Sequence, residues 1–518
     1  MATVFFIGIT LLFLDFTGAL HLWLGWMAKV QFLPALLALN VVVVVVLLLL
    51  TLVFGRIYCS VICPLGVMQD VISRLGIWWR SRRNKKNRRG TYSFSPAKTW
   101  LRYGVLAVVV VAFALGLMPV VALLEPYSAF GRIASSLFQP VYLTANNALA
   151  AISEHFDSYA FYSKDVWMRG LSVLIVALVT FVVVAVLAWR NGRTWCNTIC
   201  PVGTLLSFFS RFSLMKIRFD ADKCRSCSKC SRNCKASCID FRTHTVDYSR
   251  CVVCGNCLEQ CEFGALKYAI RGERRVERGE KPNPNPSPRE GSSNPQTTEN
   301  KPQTAENNPQ TIDRRSFLLT AALATSATAL AEVEKKVDGG LAEIEDKIAP
   351  KRLTPLTPPG SISAQNMAHH CTACQLCVAE CPNDVLRPSS DLQHFMQPTM
   401  SYERGFCRPE CTRCSEVCPT GAIIKIDKAE KSSTQIGHAV WIKKNCVPVT
   451  DGVSCGNCAD KCPTGAIEMV TIQVNGNDVD VPAVNESRCI GCGKCEYVCP
   501  ARPFSAIYVE GHEQHKTM

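Results

Sequence analysis

Long apolar stretches dominate the N-terminal part of the chain: roughly Ala2–Leu20, Phe32–Phe54, Val105–Leu124 and Leu171–Trp189. Each approaches the ~20 apolar residues that a helix needs to cross a bilayer. A run such as Val41–Leu50, apolar on every side, argues against a buried helix of a soluble protein. The pattern predicts four transmembrane helices. The first is the weakest, because it carries Asp15 and begins almost at Met1 with no basic flank. That points to a true start upstream or to a clipped first helix. Trp23 and Trp26 suit an interfacial aromatic belt.

Charge placement orients these segments. The net charge is +14, and ten Lys/Arg with no acidic residue fall from Arg74 to Arg102, between two apolar stretches. A basic stripe there reads as a cytoplasmic loop under the positive-inside rule, so no nucleic-acid partner is expected. The loop Val121–Met168 holds four acids and two bases and is expected outside; the chain returns inside at Arg190 and Arg193.

The segment Gly55–Gly66 recurs at Gly192–Gly203, with Arg56/Arg193, Cys59/Cys196, Ile62/Ile199, Cys63/Cys200 and Pro64/Pro201 in register. Each copy follows an apolar stretch, so residues 1–212 are read as a membrane domain of two related helical hairpins, each with a C-x3-C-P motif. From Arg271 to Ile312 the composition turns to Arg/Glu and Pro/Asn/Gln, which cannot bury a core and reads as a disordered linker. Residues 313–333 begin Asp313-Arg314-Arg315-Ser316-Phe317-Leu318 and continue as an Ala-rich apolar run, resembling a twin-arginine export signal with Asp313 where Ser or Thr is usual. Ala329-Leu330-Ala331 is a candidate cleavage site. An ordinary helix with two adjacent arginines is the alternative.

The chain has 29 cysteines, and all but one fall into a pattern. Cys224, Cys227, Cys230 and Cys234 follow C-x2-C-x2-C-x3-C. So do Cys251, Cys254, Cys257 and Cys261, then Cys371, Cys374, Cys377 and Cys381, and Cys489, Cys492, Cys495 and Cys499. Cys407, Cys411, Cys414 and Cys418 widen the first gap by one residue; Cys446, Cys455, Cys458 and Cys462 widen it to eight. Three closely spaced thiolates wrap one iron–sulfur cube, and the fourth ligates the neighbouring cube in two-cluster ferredoxins. Cys224, Cys227, Cys230 and Cys261 should therefore share one cluster, and Cys251, Cys254, Cys257 and Cys234 the next. The spacing leaves open which of the four later quartets pair. Zinc sites favour separated ligand pairs, and these spacings make a poor disulfide framework. Pro382, Pro419, Pro463 and Pro500 complete ferredoxin C-P signatures. Residues 213–270 are thus read as a two-cluster module and 361–512 as a four-cluster module: six [4Fe–4S] clusters, with iron the only expected metal. In the first module Lys235 and Glu262 replace the usual Pro, and the extra Cys238 could substitute for Cys234.

Cys59, Cys63, Cys196 and Cys200 remain. Two equivalent motifs could meet at a pseudo-twofold axis and supply four thiolates to an additional redox or metal site; a structural helix end or a thiol pair near a quinone path is the rival reading. No C-x-x-C-H occurs, so c-type haem is not expected. His369-His370 is expected to pack near a cluster. There is no dinucleotide fingerprint or flavin signature, so the donor is expected to be lipid-soluble or another protein.

Together, the fold class is membrane α-helical plus α+β bacterial ferredoxin-like modules. The paired C-x3-C-P helical part with its two-cluster tail resembles the membrane subunit (NapH type) of quinol dehydrogenases. The twin-arginine segment with four quartets resembles its partner polyferredoxin subunit (NapG type), so the chain looks like a fusion of the two. The resemblance implies an inner-membrane, multi-pass electron-transfer protein that oxidises quinol and passes electrons to a periplasmic redox protein or reductase. The first module would be cytoplasmic and the second periplasmic. A redox maturation factor for a metalloenzyme, electron entry from cytoplasmic ferredoxin and a structural anchor are the competing functions. Candidate proton-handling residues at helix ends are Glu125, Pro126 and Tyr127, and Asp15 with His21.

Overall fold

The computed structural model describes residues 1–83, 92–220, 222–270, 337–338, 342–343, 345–474 and 476–518. The expected linker and twin-arginine segment lie outside the described residues, as does part of the basic loop. Residues 1–273 and 347–518 form one compact unit. Within the separate unit 274–346, Val337–Asp338 pairs antiparallel with Ala342–Glu343.

Helices α1 (Ala2–Leu14), α2 (Val41–Phe54), α3 (Pro64–Arg83), α4 (Thr99–Ala114), α5 (Pro126–Ile133), α6 (Gln139–His155), α7 (Leu171–Asn191) and α8 (Pro201–Ser210) build a bundle. Among the described residues, α7 alone is long and apolar enough to cross a membrane; α1, α2, α4 and α8 are apolar but shorter. Local chemistry explains why the expected spans are interrupted. Asn40 caps α2 by accepting from the Val43 amide at 3.3 Å, and Leu39 before it is left-handed (φ 51°), which separates α2 from Phe32–Leu37. Gly116 (φ 74°) ends α4, and a new helix, Met118–Leu124, starts with Pro119 in its first turn.

The sequence repeat is a structural repeat of helix, cysteine turn and helix: α2 to α3, and α7 to α8. Helices α3 and α7 lie side by side, with the Trp79 and Trp189 rings 6.0 Å apart and Trp189 against Gly76. In the centre, Phe13 and Phe130 pack at 6.3 Å, Phe6 and Phe130 at 5.7 Å.

The two ferredoxin modules sit at opposite ends of the bundle. At one end, the Leu214 amide bonds the Leu52 carbonyl (2.7 Å), Tyr268 Oη bonds the Phe54 carbonyl (2.9 Å) and the Arg193 amide bonds the Lys235 carbonyl (2.8 Å). These are the exits of α2 and α7. At their entrances, Gly421 approaches Ala38 and Pro388 packs on Gly170; Arg413 there bonds the Thr17 carbonyl at 2.6 Å, just beyond α1. Helix α4 runs the other way, from Arg102, bonded to Ser249, to Gly116, which meets His369.

The first module is closed by β1 (Met215–Phe219) against β2 (Leu266–Ile270), antiparallel, with Ile217 and Leu266 buried. The second module is framed by β3 (Thr434–Trp441) antiparallel to β6 (Ile507–Thr517), and by the hairpin β4 (Ile467–Val474) with β5 (Asn477–Val484). Arg352 clamps Glu496 in a bidentate pair (2.7 and 2.8 Å), and Glu496 also accepts from the Val509 amide at 2.9 Å.

Candidate functional site

Each regular cysteine loop is built the same way. The residues flanking the second cysteine are left-handed: Ser226 and Ser228, Val253 and Gly255, Ala373 and Gln375, Gly491 and Gly493. That repeated reversal coils the loop so that three thiols point inward, a conformation that non-glycine residues adopt only when surroundings enforce it. The widened loops of Cys407 and Cys446 lack it.

Three voids are lined by four cysteines each. Cys224, Cys227, Cys230 and Cys261 surround about 350 Å³ (site I). Cys407, Cys411, Cys414 and Cys381 surround about 380 Å³ (site IV). Cys446, Cys455, Cys458 and Cys499 surround about 370 Å³ (site VI). Charge neighbours define the others. Cys257 has Cys251, Cys254 and Cys234 around it (site II). Cys377 has Cys371, Cys374 and Cys418 (site III). Cys489 and Cys492 both have Cys462 beside them and Cys495 has Cys492 and Cys489 (site V), with Cys407 of site IV also close to Cys492 and Cys458 of site VI close to Cys495.

The same crossed grouping of thiols thus recurs throughout. The Cys371 quartet exchanges its fourth cysteine with the Cys407 quartet, and the Cys446 quartet with the Cys489 quartet, which the spacing had left open. Among the described residues no three His, Cys, Asp or Glu side chains are close enough to hold a single metal ion. Four thiols around one hollow, supplied by ferredoxin-spaced loops, fit a cube better than a lone zinc. Burial pushes the Cys230 thiol up to about 11 and Cys458 up to about 12, with neighbouring thiols adding to it. Four such thiolates can gather in one void only with compensating cations, which the irons would supply.

The sites form a series. The Cys407 amide bonds the Cys492 carbonyl at 2.9 Å, joining site IV to site V. Site III touches the bundle: a Cβ at Gly131 in α5 would collide with the Cys374 carbonyl. Site II touches the other end, where Arg193 lies within electrostatic reach of Cys254 and Arg56 of Cys251. The order is I, II, bundle, III, IV, V, VI.

Other sequence-singled residues fall as follows. Cys238 is buried with Sγ 3.5 Å from Cys234 Sγ, and it also bonds Cys251. It stands beside Cys234 and Cys251, while Cys257 has Cys251, Cys234 and Cys254 around it. Lys235 bonds Asp70 at 2.5 Å, and Asp70 also pairs with Arg193 at 2.7 and 2.5 Å. Burial would raise the Asp70 carboxyl, but the two cations outweigh it and hold it below the usual range. Glu262 pairs with Lys229 at the surface. Asp15 ends α1 by accepting from Thr17 and Leu20, a structural role. His369 packs on Gly116 of the bundle. Glu125 is buried at the start of α5, not at a polar rim: one oxygen accepts from the Ser128 amide and Oε1 has no partner. Tyr127 Oη, Ser128 Oγ and Arg132 Nε and Nη1 on the same turn are also buried without partners. Sequence reasoning missed Ser128 and Arg132; only a buried helix could reveal them.

A 4Fe-4S binding domain family matches residues 36–87 and 173–220, the two repeat copies. A 4Fe-4S dicluster domain matches 453–502, and a second 4Fe-4S binding domain matches 244–267. The methylamine utilization ferredoxin-type protein MauM of Methylobacillus flagellatus is 30% identical over 165 residues, 31% of this chain and 70% of that protein. The ferredoxin-type protein NapG of Escherichia coli is 31% identical over 160 residues, 28% of this chain and 65% of NapG. An uncharacterized protein of Methanocaldococcus jannaschii is 34% identical over 108 residues, 21% of this chain and 42% of that protein, so the chain spans under half the length of this relative. No solved structure matches. The crossed cysteine quartets and these likenesses agree: the chain belongs to the family of ferredoxin-type [4Fe–4S] electron-transport proteins.

Proposed function

We propose that this protein is a multi-pass protein of the inner membrane that takes electrons from a quinol and passes them through six [4Fe–4S] centres toward a periplasmic redox protein or reductase. The bundle would lie in the bilayer as four spans, with the first module in the cytoplasm and the second outside. Apolar α7 and the basic loop support this placement.

The observation that carries the quinol reading is the unpartnered polar set on α5. Glu125, Tyr127, Ser128 and Arg132 are all within 1% of complete burial, among Phe13 and Phe130, directly beside Cys374. A buried polar atom without a partner costs roughly 1–3 kcal/mol, so several on one turn call for a polar ligand. A quinol head group has two hydroxyls to donate. The Glu125 carboxylate can take a proton, and the Arg132 guanidinium can hold the oxygen that becomes anionic. The electron then has a short exit at Cys374.

Reduced short-chain quinol added anaerobically to the purified, cluster-loaded protein should bleach its visible iron–sulfur absorbance. Glu125→Gln and Arg132→Leu should slow bleaching about tenfold or more, from losing about 1.5–3 kcal/mol of charged hydrogen bonding, while dithionite reduction stays normal. Equal bleaching in wild type and both variants would remove the quinol from this turn. A second reading has one specific support: Cys227 of site I is exposed, so a soluble cytoplasmic ferredoxin could deliver electrons there. Quinol-insensitive but ferredoxin-dependent bleaching would favour it.

A further inference from the structure

In the second module a lysine is buried where a polar turn would normally hold it in water. Lys431 lies in the short helix Lys428–Ser433 and is the one buried residue of that helix, 5% exposed. A capping box fixes the turn: Asp427 accepts from the Glu430 amide at 2.7 Å, and the Glu430 carboxylate accepts from the Asp427 amide at 3.0 Å. Glu430 stays exposed, while Lys431, next in the chain, lines the hollow of site IV with Cys381, Cys407, Cys411 and Cys414.

The partners of Lys431 are all acceptors. Its Nζ donates to the Arg408 carbonyl at 2.8 Å and to the Cys411 carbonyl, and it lies against the Cys407 sulfur. Three acceptors take three hydrogens, which only the charged ammonium has to give. None of the three is a carboxylate. A buried cation without an anion is costly, so the site calls for negative charge inside the hollow.

Other cysteine sites are set differently. Among the described residues, no charged side chain lines the hollow of site VI. Lys229 at site I is exposed and pairs with Glu262. Lys235 and Arg193, beside site II, are both neutralised by Asp70. At the repeat cysteines Cys59, Cys63, Cys196 and Cys200, all buried, Arg56 Nη2 reaches Cys59 Sγ only at 3.7 Å and its donors are shared with Asn197 Oδ1 and the Ser249 and Cys196 carbonyls. At site IV itself Arg413 also borders the hollow, but it is turned to the Thr17 carbonyl at 2.6 Å.

We infer that Lys431 sets the potential of site IV: its ammonium favours the reduced centre and places site IV above site VI, as the electron reservoir of the second module. The inference rests on the reading that site IV holds an iron–sulfur cube. Such a cube on four thiolates is anionic, and reduction adds one more negative charge. A cation held against a ligand sulfur, away from water, therefore stabilises the reduced form more than the oxidised one. One electron leaves a reduced neighbouring centre and enters site IV, with no bond made or broken. The Cys407 amide, bonded to the Cys492 carbonyl at 2.9 Å, leads from this reservoir to site V.

The test uses full-length protein purified anaerobically, with iron counted and the centres titrated by EPR. The signal lost in Cys407→Ala marks site IV, and the signal lost in Cys455→Ala marks site VI. In wild type the site IV signal should appear at the higher potential; the reverse order overturns the inference. Lys431→Met should keep full iron, while the reduced-to-oxidised ratio of site IV at the wild-type midpoint falls about tenfold or more, equivalent to about 59 mV for one electron. Lys431→Arg keeps the charge and should leave that ratio close to wild type. An unchanged ratio in Lys431→Met, or an equal fall in Lys431→Arg, overturns the inference. If Lys431→Met does not fold or loses iron, Lys431→Gln, which keeps a donor for the carbonyls but no charge, takes its place. Loss of site IV iron in both would show that Lys431 only holds the loop, and would overturn the inference too. Undiminished iron in Cys407→Ala would instead sink the cluster reading itself, a failure distinct from any outcome at Lys431.

Discussion

Cys238 belongs to no quartet, and removing it separates ligation from tuning. It is 1% exposed, its sulfur is 3.5 Å from Cys234 Sγ, and it also bonds Cys251, so it touches two ligands of one cluster. Those two bonds, then burial, push its thiol well above the usual range, so it stays protonated and can donate. A donor to a ligand sulfur favours the reduced, more negative cluster and raises its potential. A neutral hydrogen bond is worth about 1 kcal/mol, and S–H is a weak donor. With about half of that as the difference between redox states, and a single S–H proton that serves only one of the two sulfurs at a time, the effect is about 0.5 kcal/mol, or about 20 mV for one electron. Cys238→Ala should therefore retain full iron and lower one midpoint by about 20 mV in an anaerobic EPR titration, whereas Cys234→Ala should lose a cluster. Loss of four irons in Cys238→Ala with retention in Cys234→Ala would show that the ligand assignment is reversed. An unchanged or raised midpoint would refute the sulfur hydrogen bonds.

Three further outcomes follow from named contacts. Asp70→Asn strands the buried Arg193 and Lys235 and should destabilise the bundle's contact with the first module by about 3–5 kcal/mol, visible as a lower thermal midpoint by circular dichroism. Because the folded Asp70 carboxyl is held low, its stabilisation is complete above the ordinary carboxylate range and is lost as pH falls through the folded value; an acid limb that is just as steep in Asp70→Asn would contradict this. His515, bonded to Thr357 at 3.0 Å, is lowered to about 4 by burial and then by His512, so the folded state favours its neutral form. Stability should decline as pH drops from about 6.5 toward 4, and His515→Gln should flatten that decline. Cys418→Ser should remove the spectroscopic signature of the cluster held by Cys371, Cys374 and Cys377 while that of Cys407, Cys411 and Cys414 persists; the opposite loss would exclude crossed ligation there.

The grouping of the cysteines was legible because ferredoxin loops impose a spacing on the chain itself. The crossing at Cys234 and Cys261 could be read for the same reason: only two quartets were available to exchange. Among four quartets the exchange depends on which loops meet in space, and spacing carries no record of that. Lys235 shows a different limit. In sequence it is only a missing proline, yet in the fold it neutralises Asp70, a residue on α3 that no motif marks. Helix continuity was misjudged where hydropathy ignores backbone geometry: Asn40 and Gly116 interrupt stretches that are apolar on both sides. Arg132 and Ser128 were invisible because an isolated polar residue on a short helix means nothing until its burial is known.

Exposure along the series constrains where electrons can enter and leave. The thiols facing the bundle are the most enclosed: Cys371, Cys374 and Cys377 of site III are buried, as are Cys234, Cys251 and Cys257 of site II. Elsewhere they open unevenly: all four thiols of site IV are half-buried, site VI has Cys455 and Cys458 half-buried but Cys446 and Cys499 buried, and Cys227 of site I is exposed. A soluble partner must approach an exposed centre, and the exposed cysteine among the described residues is Cys227 of site I. A donor reaching site II or III must come through the bundle, and an apolar bundle admits an apolar carrier. The unpartnered polar set at Glu125 lies beside site III, where Gly131 meets Cys374. Enclosed thiols at sites II and III and an exposed one at site I therefore suit the proposed conductor, insulated beside the bundle and accessible at site I.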